Sequence, residues 1–349
     1  MIYIDGSWGE GGGQILRTSL SLAAITGKSI SIYNIRAKRK NPGLAAQHLT
    51  AVRAAAAICN AQLRGDSLGS MTLEFISGGA VQAGNYIFDV SEAREGGSAG
   101  AVTLVLQTVL LPLVLASGDS HVTLRGGTSL PMSPPFTYIE QVYLPMLKPM
   151  KVQAEVVLEA WGWYPIGKGE VQLLVNANTS PLSGITLLER GDLRQVRGLA
   201  VVTQLPSHIP QRMASRAENL LREAGLKPNI QPLRAKGIAR GAGLFLTAEY
   251  ENSLAGFSAL GRLGVSSEQV AQMAFEEFFK FHQTGAPVDE HLADQLLLPA
   301  ALASTGSEYR AAQISLHLTT NASVIEQFGV ARVMVDEGEK IVKVQPLVR

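Results

Sequence analysis

The sequence predicts an α/β or α+β protein with a large core and two domains. Apolar segments of helical length alternate with short strand-like segments along the whole chain, which is typical of this class. The chain has 349 residues, more than a single hydrophobic core usually supports. Hydrophobic residues make up 46% of it and charged residues 17%, which indicates a globular protein and not a disordered one.

A faint internal repeat organises the predicted elements. Three apolar helices end in similar sequences, each followed by a glycine that would stop the helix: LSLAAITG at 20–27, LLPLVLASG at 110–118 and LLPAALASTG at 297–306. A strand-like segment follows each of them, and a glycine-rich turn precedes the first two. We therefore predict three copies of a strand, turn, helix and strand unit, with chance similarity between Leu/Ala-rich helices as the alternative.

Each unit is expected to continue with a second helix and closing strands. Asn41 and Pro42 are suited to start a helix over GLAAQHLTAVRAAAAI, as are Pro134 and Pro135 for PPFTYIEQVYLPML. Period-two alternation then predicts strands in MTLEFI, VQAEVVLEA, GEVQLLV and ARVMVDEGEKIVKVQ.

The rhythm changes between about Gly184 and Gly285. This segment has its own predicted strand, helix, strand pair and amphipathic helix, enough for a small α/β domain inserted into a larger one. We predict a large domain made of residues 1–183 and 286–349, and an inserted domain made of residues 184–285.

Charge, cysteine content and hydropathy exclude several classes of protein. The 30 basic and 29 acidic side chains nearly balance, so a nucleic acid would have to meet a local basic cluster. Cys59 is the only cysteine, which rules out an intramolecular disulfide and a Cys-based zinc site and favours a reducing compartment. The most apolar window, 101–116, is too short to span a bilayer comfortably, and no signal peptide is recognisable. We expect a cytoplasmic protein with no membrane partner, and its apolar composition permits a homodimer.

The glycine-rich turn GEGGGQILRT is the first candidate site. Glycines let backbone N–H groups approach an anion, and the helix that follows adds the positive end of its dipole. Glu10 could bind Mg²⁺ or Mn²⁺ together with phosphate oxygens, and Arg17 could face the same anion. The turn matches neither phosphate-binding fingerprint of nucleotide-binding folds, so a plain turn with solvated side chains remains open.

Two further stretches carry candidate chemistry. In RAKRKNPGLAAQH, a cluster of cations that includes Arg36 and Arg39 precedes a helix, where it could cradle a phosphate or simply be solvated. The helix contains His48 on an apolar stripe, which favours a core or pocket-wall role. In QISLHLTTN, read as a strand, His317 faces hydroxyl and amide side chains, where a neutral imidazole could act as a nucleophile. A structural role for this histidine is equally open.

The order of these motifs adds what spacing cannot provide. DGSWGEGGGQILR, IRAKRKNPGLAAQHL, GSAGAVTLVLQ, RGGT followed by PP, ADQLLLPAALA and HLTTN succeed one another over nearly the whole chain. In this order they resemble the RNA 3'-terminal phosphate cyclases. The resemblance implies a large domain of three repeated sheet-plus-two-helix units, similar to the enolpyruvyl transferases and to the C-terminal domain of translation initiation factor three. It also implies an inserted domain that resembles thioredoxin.

The resemblance further implies a reaction and its residues. An RNA 3'-terminal phosphate would be converted to a 2',3'-cyclic phosphate with ATP and Mg²⁺ or Mn²⁺, through a covalent AMP adduct of His317 and an adenylated RNA 3' end. Glu10 matches the family's metal-contacting carboxylate, and Arg17, Arg36, Arg39, Gln47 and His48 match residues that bind the substrate phosphate. The nucleotide would be bound by Gln107, Pro131, His291, Asp294 and Gln295.

Two departures from the family pattern bear on that site. His291 stands where an aromatic side chain is expected to stack on adenine, and the loop at 91–101 is longer than usual, so that Arg94 or Glu95 could contact substrate. Two other functions stay open as alternatives. One is a noncatalytic RNA-binding or ribosome-assembly protein of the cyclase fold, and the other is an enzyme like the enolpyruvyl transferases.

Overall fold

The computed structural model describes residues 1–94 and 98–347 as a mixed α/β structure with four four-stranded sheets. The strands, in chain order, are β1 Ile2–Asp5, β2 Ile30–Tyr33, β3 Gln62–Arg64, β4 Leu73–Ile76, β5 Asn85–Asp89, β6 Ser120–Gly126, β7 Ala154–Ala160, β8 Gly169–Val175, β9 Thr186–Leu187, β10 Leu193–Thr203, β11 Pro228–Ala235, β12 Gly241–Tyr250, β13 Leu254–Leu260, β14 Ser307–Arg310, β15 Ala331–Asp336 and β16 Ile341–Pro346.

The helices lie between these strands. They are α1 Gly13–Thr26, α2 Ala46–Cys59, α3 Val102–Val114, α4 Phe136–Tyr138, α5 Leu144–Leu147, α6 His208–Glu223, α7 Ser267–Thr284, α8 Glu290–Gln295, α9 Leu297–Ala301 and α10 Leu316–Gln327. A π-helical turn, Ile139–Tyr143, joins α4 to α5, and short 3₁₀ turns occupy Val90–Ala93 and Lys148–Met150.

Three of the sheets share one topology. Their strand orders are β1-β2-β4-β3, β5-β6-β8-β7 and β9-β14-β16-β15, so each places its first, second, fourth and third strands side by side. In each sheet the first two strands are parallel and the other two pairings are antiparallel. In the first two sheets one helical segment separates the first and second strands and another the second and third, which gives a succession of strand, helix, strand, helix and hairpin. The third sheet follows the same succession with α8, α9 and α10, except that β10 to β13, α6 and α7 also lie between its first two strands.

The helices of these successions form the main core. Helix α3 is buried along nearly its whole length, as expected for the most apolar window of the sequence. It packs on α1 and α2, and α10 packs on α1. One continuous core cluster therefore runs from Ile4 to Val344.

The fourth sheet has a different order, β11-β10-β12-β13, and a core of its own. Strands β10 and β11 are parallel, whereas β12 and β13 continue the sheet in antiparallel fashion. Helices α6 and α7 pack on this sheet and on each other. All six elements lie between β9 and α8 in the chain. The domain boundaries at 184 and 285 stay a prediction.

Two expectations about helix ends are wrong, and one strand was not predicted. Helix α2 begins at Ala46 and not after Pro42, because the backbone of Gly43 and Leu44 bonds to Ile35 and Ser70 instead of starting a turn. Only the first of the three similar helices ends in a left-handed glycine, Gly27, whereas the other two end at Leu115 and Leu302. Strand β11 was not predicted, since its sequence PNIQPLRA does not alternate cleanly.

In the described part of the chain, no helix combines the length and the apolar character that crossing a membrane requires.

Candidate active site

The glycine-rich turn between β1 and α1 brings several charged side chains close to the backbone. A Cβ atom added to Gly12 would overlap the Glu10 carboxylate and lie 2.6 Å from Arg39 Nη2. A Cβ on Gly13 would overlap His48 Nε2 and lie 2.9 Å from Arg17 Nη1. These two glycines are therefore required for the close approach of the side chains, whatever their role in the turn itself.

Glu10 joins the turn to the end of the chain. Its side chain is only 8% exposed and forms an ion pair with Arg39, and its Oε1 lies 3.7 Å from His317 Nε2. The Glu10 backbone N–H donates to Thr320 Oγ1 at 3.0 Å. The structure thus brings together two motifs that are about three hundred residues apart in sequence.

His317 lies on a helix and not on a strand, so the strand interpretation of QISLHLTTN is wrong. Ser315 caps α10, its Oγ accepting from the Leu318 N–H at 3.2 Å, and His317 occupies the first helical turn. A serine before a helix is the signal that the alternating pattern concealed. The His317 side chain is 50% exposed. Burial, followed by Arg17, Arg39 and His291, lowers its pKa, which leaves the imidazole neutral near pH 7.

The helix brings two residues that were not predicted as part of the site to the same face as His317. Thr320 and Asn321 follow it by three and four positions, the spacing of neighbours on a helix surface. Thr320 contacts the glycine turn, and Asn321 Oδ1 accepts from Thr18 Oγ1 at 2.6 Å. Asn321 also donates to the Asp294 carbonyl at 2.9 Å. Helical spacing around His317 would have identified both residues.

The first turn of α2 contributes Gln47 and His48. Gln47 Oε1 accepts from the Ala101 N–H at 2.9 Å, which ties α2 to the start of α3. His48 is buried, as its place on an apolar stripe predicted. Burial, and then Arg36, Arg17 and Arg39, lower its pKa to about 3. His48 is therefore a neutral wall of a cationic site.

Arg17 and Asp294 form a second polar centre beside the glycine turn. Burial lowers the pKa of Arg17 to about 10, with Asp294 acting in the opposite direction. Burial likewise raises the pKa of Asp294 to about 7, against the influence of Arg17. A cavity beside this pair is lined by Gln14, Arg17, Thr18, Ser21, Gln107, Tyr143, Asp294, Gln295, Leu298 and Asn321. Four residues predicted to bind nucleotide or phosphate, Arg17, Gln107, Asp294 and Gln295, are thus found together.

The remaining predicted residues lie at the margins. Arg36 donates to the Gly43 carbonyl at 2.7 Å, and burial lowers its pKa. His291 is an exposed residue in the first turn of α8. Pro131 is exposed in the loop after β6 and does not line the Arg17 cavity. Arg94 is exposed, and Glu95 lies outside the described residues.

Asp289 and Tyr138 position α8 and were not predicted from sequence. Asp289 is buried and caps the helix by accepting from the backbone N–H groups of His291 and Leu292. The Tyr138 hydroxyl donates to the same carboxylate at 3.1 Å. An Asp two residues before His291 is a typical N-cap signal, but its partner is 151 positions away and has no local signature.

Metal binding by protein side chains alone is not supported. Among residues 1–94 and 98–347, no group of three His, Cys, Asp or Glu side chains could hold a metal ion. Mg²⁺ is usually bound by one or two carboxylates together with phosphate oxygens and water. Glu10, surrounded by arginines suited to phosphate, fits the first part of such a ligand set.

Comparison with known proteins identifies a family. Residues 8–335 match the sequence model of the family described as RNA 3'-terminal phosphate cyclase. Proteins with that name are 68% identical in Nostoc punctiforme, over 99% of both chains, and 56% identical in Methylococcus capsulatus, over 95% of this chain and 92% of the relative. In Archaeoglobus fulgidus the identity is 42% over 98% of this chain and 99% of the relative.

A comparison with solved structures gives a much weaker similarity. The enolpyruvyl transferase NikO from Streptomyces tendae aligns with 96% of this chain and 80% of its own length, at 12% identity and a TM-score of 0.28. A TM-score this low does not establish a shared fold.

Proposed function

The chain belongs to the RNA 3'-terminal phosphate cyclase family, and we propose that it converts an RNA 3'-terminal phosphate to a 2',3'-cyclic phosphate through a covalent AMP adduct of His317. The observation that carries this mechanism is the setting of His317. The side chain is half-exposed, its lowered pKa keeps it neutral, and Glu10, Arg17 and Arg39 surround it. Cations that would hold ATP phosphates also suppress protonation of the nucleophile.

In the first step His317 attacks the α-phosphorus of ATP. A nitrogen–phosphorus bond forms, the phosphorus–oxygen bond to pyrophosphate breaks, and the imidazole loses its ring proton. Arg17 and Arg39 neutralise charge on the transferring phosphoryl group, the main requirement of such reactions. A divalent ion bound to Glu10 would supply further charge neutralisation on the phosphate oxygens.

In the second step an oxygen of the RNA 3'-phosphate attacks the phosphorus of the adduct. The nitrogen–phosphorus bond breaks, the departing imidazole takes up a proton so that neutral His317 is regenerated, and the RNA end carries AMP through a phosphoanhydride. In the third step the neighbouring 2'-hydroxyl attacks the terminal RNA phosphorus, releasing AMP and a proton. Intramolecular nucleophiles reach effective molarities of roughly 10⁵ to 10⁸ M when well oriented, so that positioning is the protein's main task here.

The other predicted residues keep their proposed roles. Arg36, Gln47 and His48 would bind the substrate phosphate beside Arg17 and Arg39. Gln107, Asp294 and Gln295, which share one cavity, would bind the nucleotide. Pro131 and His291 would lie near its adenine ring. Asp289 and Tyr138 would hold α8 and thereby position His291 and Asp294.

The finer features of the fold are proposals of the same kind. The repeated strand order of three sheets supports three related units, as in enolpyruvyl transferases and the initiation factor three domain. A thioredoxin-like arrangement of the inserted segment is supported by its parallel β10–β11 pair and antiparallel β12–β13 pair, flanked by α6 and α7. A cytoplasmic location is supported by the single cysteine, and a homodimer stays a prediction.

A noncatalytic RNA-binding protein and an enzyme like the enolpyruvyl transferases are the competing functions. Neither needs a half-exposed neutral histidine beside a carboxylate and two arginines.

Incubation with α-labelled ATP and Mg²⁺ or Mn²⁺ tests the covalent step. We expect label on the wild-type protein that is stable to alkali, labile to acid and absent from His317→Ala. Failure of the wild type to become labelled under any of these conditions would overturn the mechanism.

A further inference from the structure

Three loops beside the candidate site expose large apolar side chains. The loops are residues 127–135 after β6, 161–168 between β7 and β8, and 236–240 between β11 and β12. Met132 is 93% exposed, Tyr164 69%, Ile166 50% and Ile238 72%. Exposed apolar side chains in one area of a protein usually mark a binding surface.

Direct contacts hold the three loops together. The backbone N–H groups of Thr128 and Ser129 donate to the Gly162 carbonyl at 2.9 and 3.1 Å. A Cβ on Gly237 would lie 3.2 Å from the Trp161 carbonyl, and one on Gly241 would overlap the Trp163 ring. The loops of the second sheet and of the inserted segment therefore form one surface, which we call the loop platform.

Stacked aromatic rings fix this arrangement from beneath. The Trp161 and Trp163 rings stack at 5.3 Å between centroids, and Phe245 of β12 stacks on Trp161 at 5.8 Å. All three side chains are buried. The loop platform is thus supported by a buried aromatic cluster to which both the β7–β8 loop and β12 of the inserted segment contribute.

The platform is cationic. The three loops contain Lys168, Lys236 and Arg240, all exposed, and no Asp or Glu. None of the three cations forms an ion pair with a described residue. Two acidic residues flank the 161–168 loop in the adjoining strands: Glu170 is paired with Arg125, and Glu159 is exposed on β7. Cations interspersed with exposed aromatic and apolar side chains are typical of surfaces that bind single-stranded nucleic acid.

The platform is continuous with the candidate active site. A Cβ on Gly167 would lie 3.0 Å from Ala99 Cα, and one on Gly100 would lie 3.0 Å from Gln47 Cβ. Gln47 accepts from the Ala101 N–H, and the next residue, His48, contacts the glycine turn. A strand of RNA whose 3'-phosphate lies at Gln47 and His48 can therefore reach the platform with its preceding nucleotides.

We propose that the loop platform binds the single-stranded nucleotides that precede the reacting RNA 3' end, with Tyr164 stacking on a base and Lys168, Lys236 and Arg240 contacting phosphates. The inference rests on the proposed function, since it assumes that the RNA end enters the site at Gln47. It gives the inserted segment a role in selecting RNA chains by length and by the absence of a complementary strand.

Cyclisation kinetics with 3'-phosphorylated RNAs of two, six and twelve nucleotides test the proposal. In the wild type, KM is expected to fall as the chain lengthens, with kcat unchanged. The variant Lys236→Ala/Arg240→Ala should raise KM for the twelve-nucleotide RNA roughly fivefold to tenfold and leave the dinucleotide unaffected. For this variant the slope of log KM against the logarithm of the salt concentration should be smaller than in the wild type by about 1.4, because each of the two lost phosphate contacts contributes about 0.7 on single strands.

Tyr164→Ala should raise KM for the longer RNAs by roughly fivefold or more, as expected for one lost base stack. The matched control is Lys227→Ala/Lys280→Ala, which removes two exposed cations from the opposite end of β11 and from α7. It should behave like the wild type.

The outcomes separate this proposal from the proposed function. A wild type that cyclises two and twelve nucleotides with the same KM, or platform variants with unchanged KM, would overturn the platform and point to a protein partner for this surface. Absence of wild-type labelling by ATP would instead overturn the proposed function. Normal ATP labelling of each variant shows that the large domain is folded.

Discussion

Two histidines occupy comparable places in two of the repeated successions but differ in burial and in the extent to which their pKa values are lowered. His48 lies in the first turn of α2, and His317 lies in the first turn of α10, each the helix between the second and third strands of its sheet. His48 is 5% exposed and its pKa is lowered to about 3. The His317 side chain is 50% exposed, and its pKa is lowered from the ordinary value without such extensive burial.

The difference shows how one local frame can serve two purposes. Both histidines feel Arg17 and Arg39, but His48 is also enclosed by the glycine turn and Arg36. With a pKa lowered to about 3 it is neutral near pH 7, and with 5% of its surface exposed it is suited to contact a phosphate oxygen at the wall of the site but not to attack a phosphorus atom. His317 combines neutrality with access, the two properties that an imidazole nucleophile needs.

Replacing each histidine by asparagine should have the largest effect of the changes that test this comparison. His317→Asn should reduce formation of the AMP adduct by roughly 10³-fold or more, because no other nucleophile replaces it. His48→Asn should reduce it only about tenfold to a hundredfold, since it disturbs the packing of Arg17 and the glycine turn, which would position the ATP phosphates, but leaves the nucleophile. Single-turnover labelling with α-labelled ATP measures both. Equal losses in the two variants would contradict the division of roles.

Several elements of this frame were predictable because short-range rules govern them. The glycine turn before α1, the buried helix α3, the hairpin β15–β16 and the capping-box helix α7 follow from glycine positions, hydrophobic runs and alternation. The start of α2 could not be predicted, because the hydrogen bonds of Gly43 and Leu44 to distant residues decide it.

The site was predictable only through the order of its motifs. No local rule connects Glu10 to His317 or Thr18 to Asn321, since these contacts depend on how α1 and α10 pack. The alternation of apolar and polar residues in QISLHLTTN indicated a strand. The same residues also suit the start of a helix, since Leu316 and Leu318 fall in the first turn after the capping Ser315. The helix places Thr320 and Asn321 beside His317, which a strand would not.

Gly13→Ala tests whether the glycine turn serves the enclosure of His48. The added methyl group would overlap His48 Nε2 and crowd Arg17, so adduct formation should fall roughly a hundredfold through misplacement of phosphate-binding groups. The free energy of unfolding should also fall, because the methyl group fits only if the buried His48 ring moves.

Gly306→Ala is the matched control for this substitution. A Cβ there meets only the Val344 carbonyl, at 3.7 Å, and activity should be unchanged. Full activity of Gly13→Ala would show that close approach at this position is unnecessary.

The pH dependence of stability tests the lowered pKa of His48 directly, with a smaller expected effect than the substitutions above. Its folded pKa of about 3 lies below the unfolded value of about 6.5, so on acidification the unfolded chain takes up a proton that the folded chain refuses. Stability from this group is thus present above pH 6.5 and is lost as the pH falls below it. The loss approaches about 1.4 kcal/mol per pH unit.

Urea denaturation of the wild type and His48→Asn at pH 6.5 and pH 5 measures this effect. The free energy of unfolding of the wild type should fall by about 1.6 kcal/mol more than that of the variant over this interval, since the unfolded histidine is already half protonated at pH 6.5. Parallel losses in the two proteins would mean that His48 is protonated in the folded state.

The smallest expected effect concerns the charge that the two histidines share. Arg39 lowers the pKa of His317, after burial and Arg17, and it also neutralises Glu10, whose Oε1 is 3.7 Å from the imidazole. Arg39→Gln removes the cation and leaves the carboxylate free to favour imidazolium. Both changes raise the pKa of His317, so the acid limb of the pH profile of adduct formation, which reports loss of neutral imidazole, should move to higher pH.

NMR titration of ring-labelled histidine without ATP, with the His317 signal assigned by its loss in His317→Asn, measures the same pKa without relying on activity. Lys40→Gln removes an exposed cation from the same loop and should leave both profiles in place. If Arg39→Gln also leaves them in place, then burial and Arg17 alone keep His317 neutral, and Arg39 acts on the phosphate and not on the nucleophile.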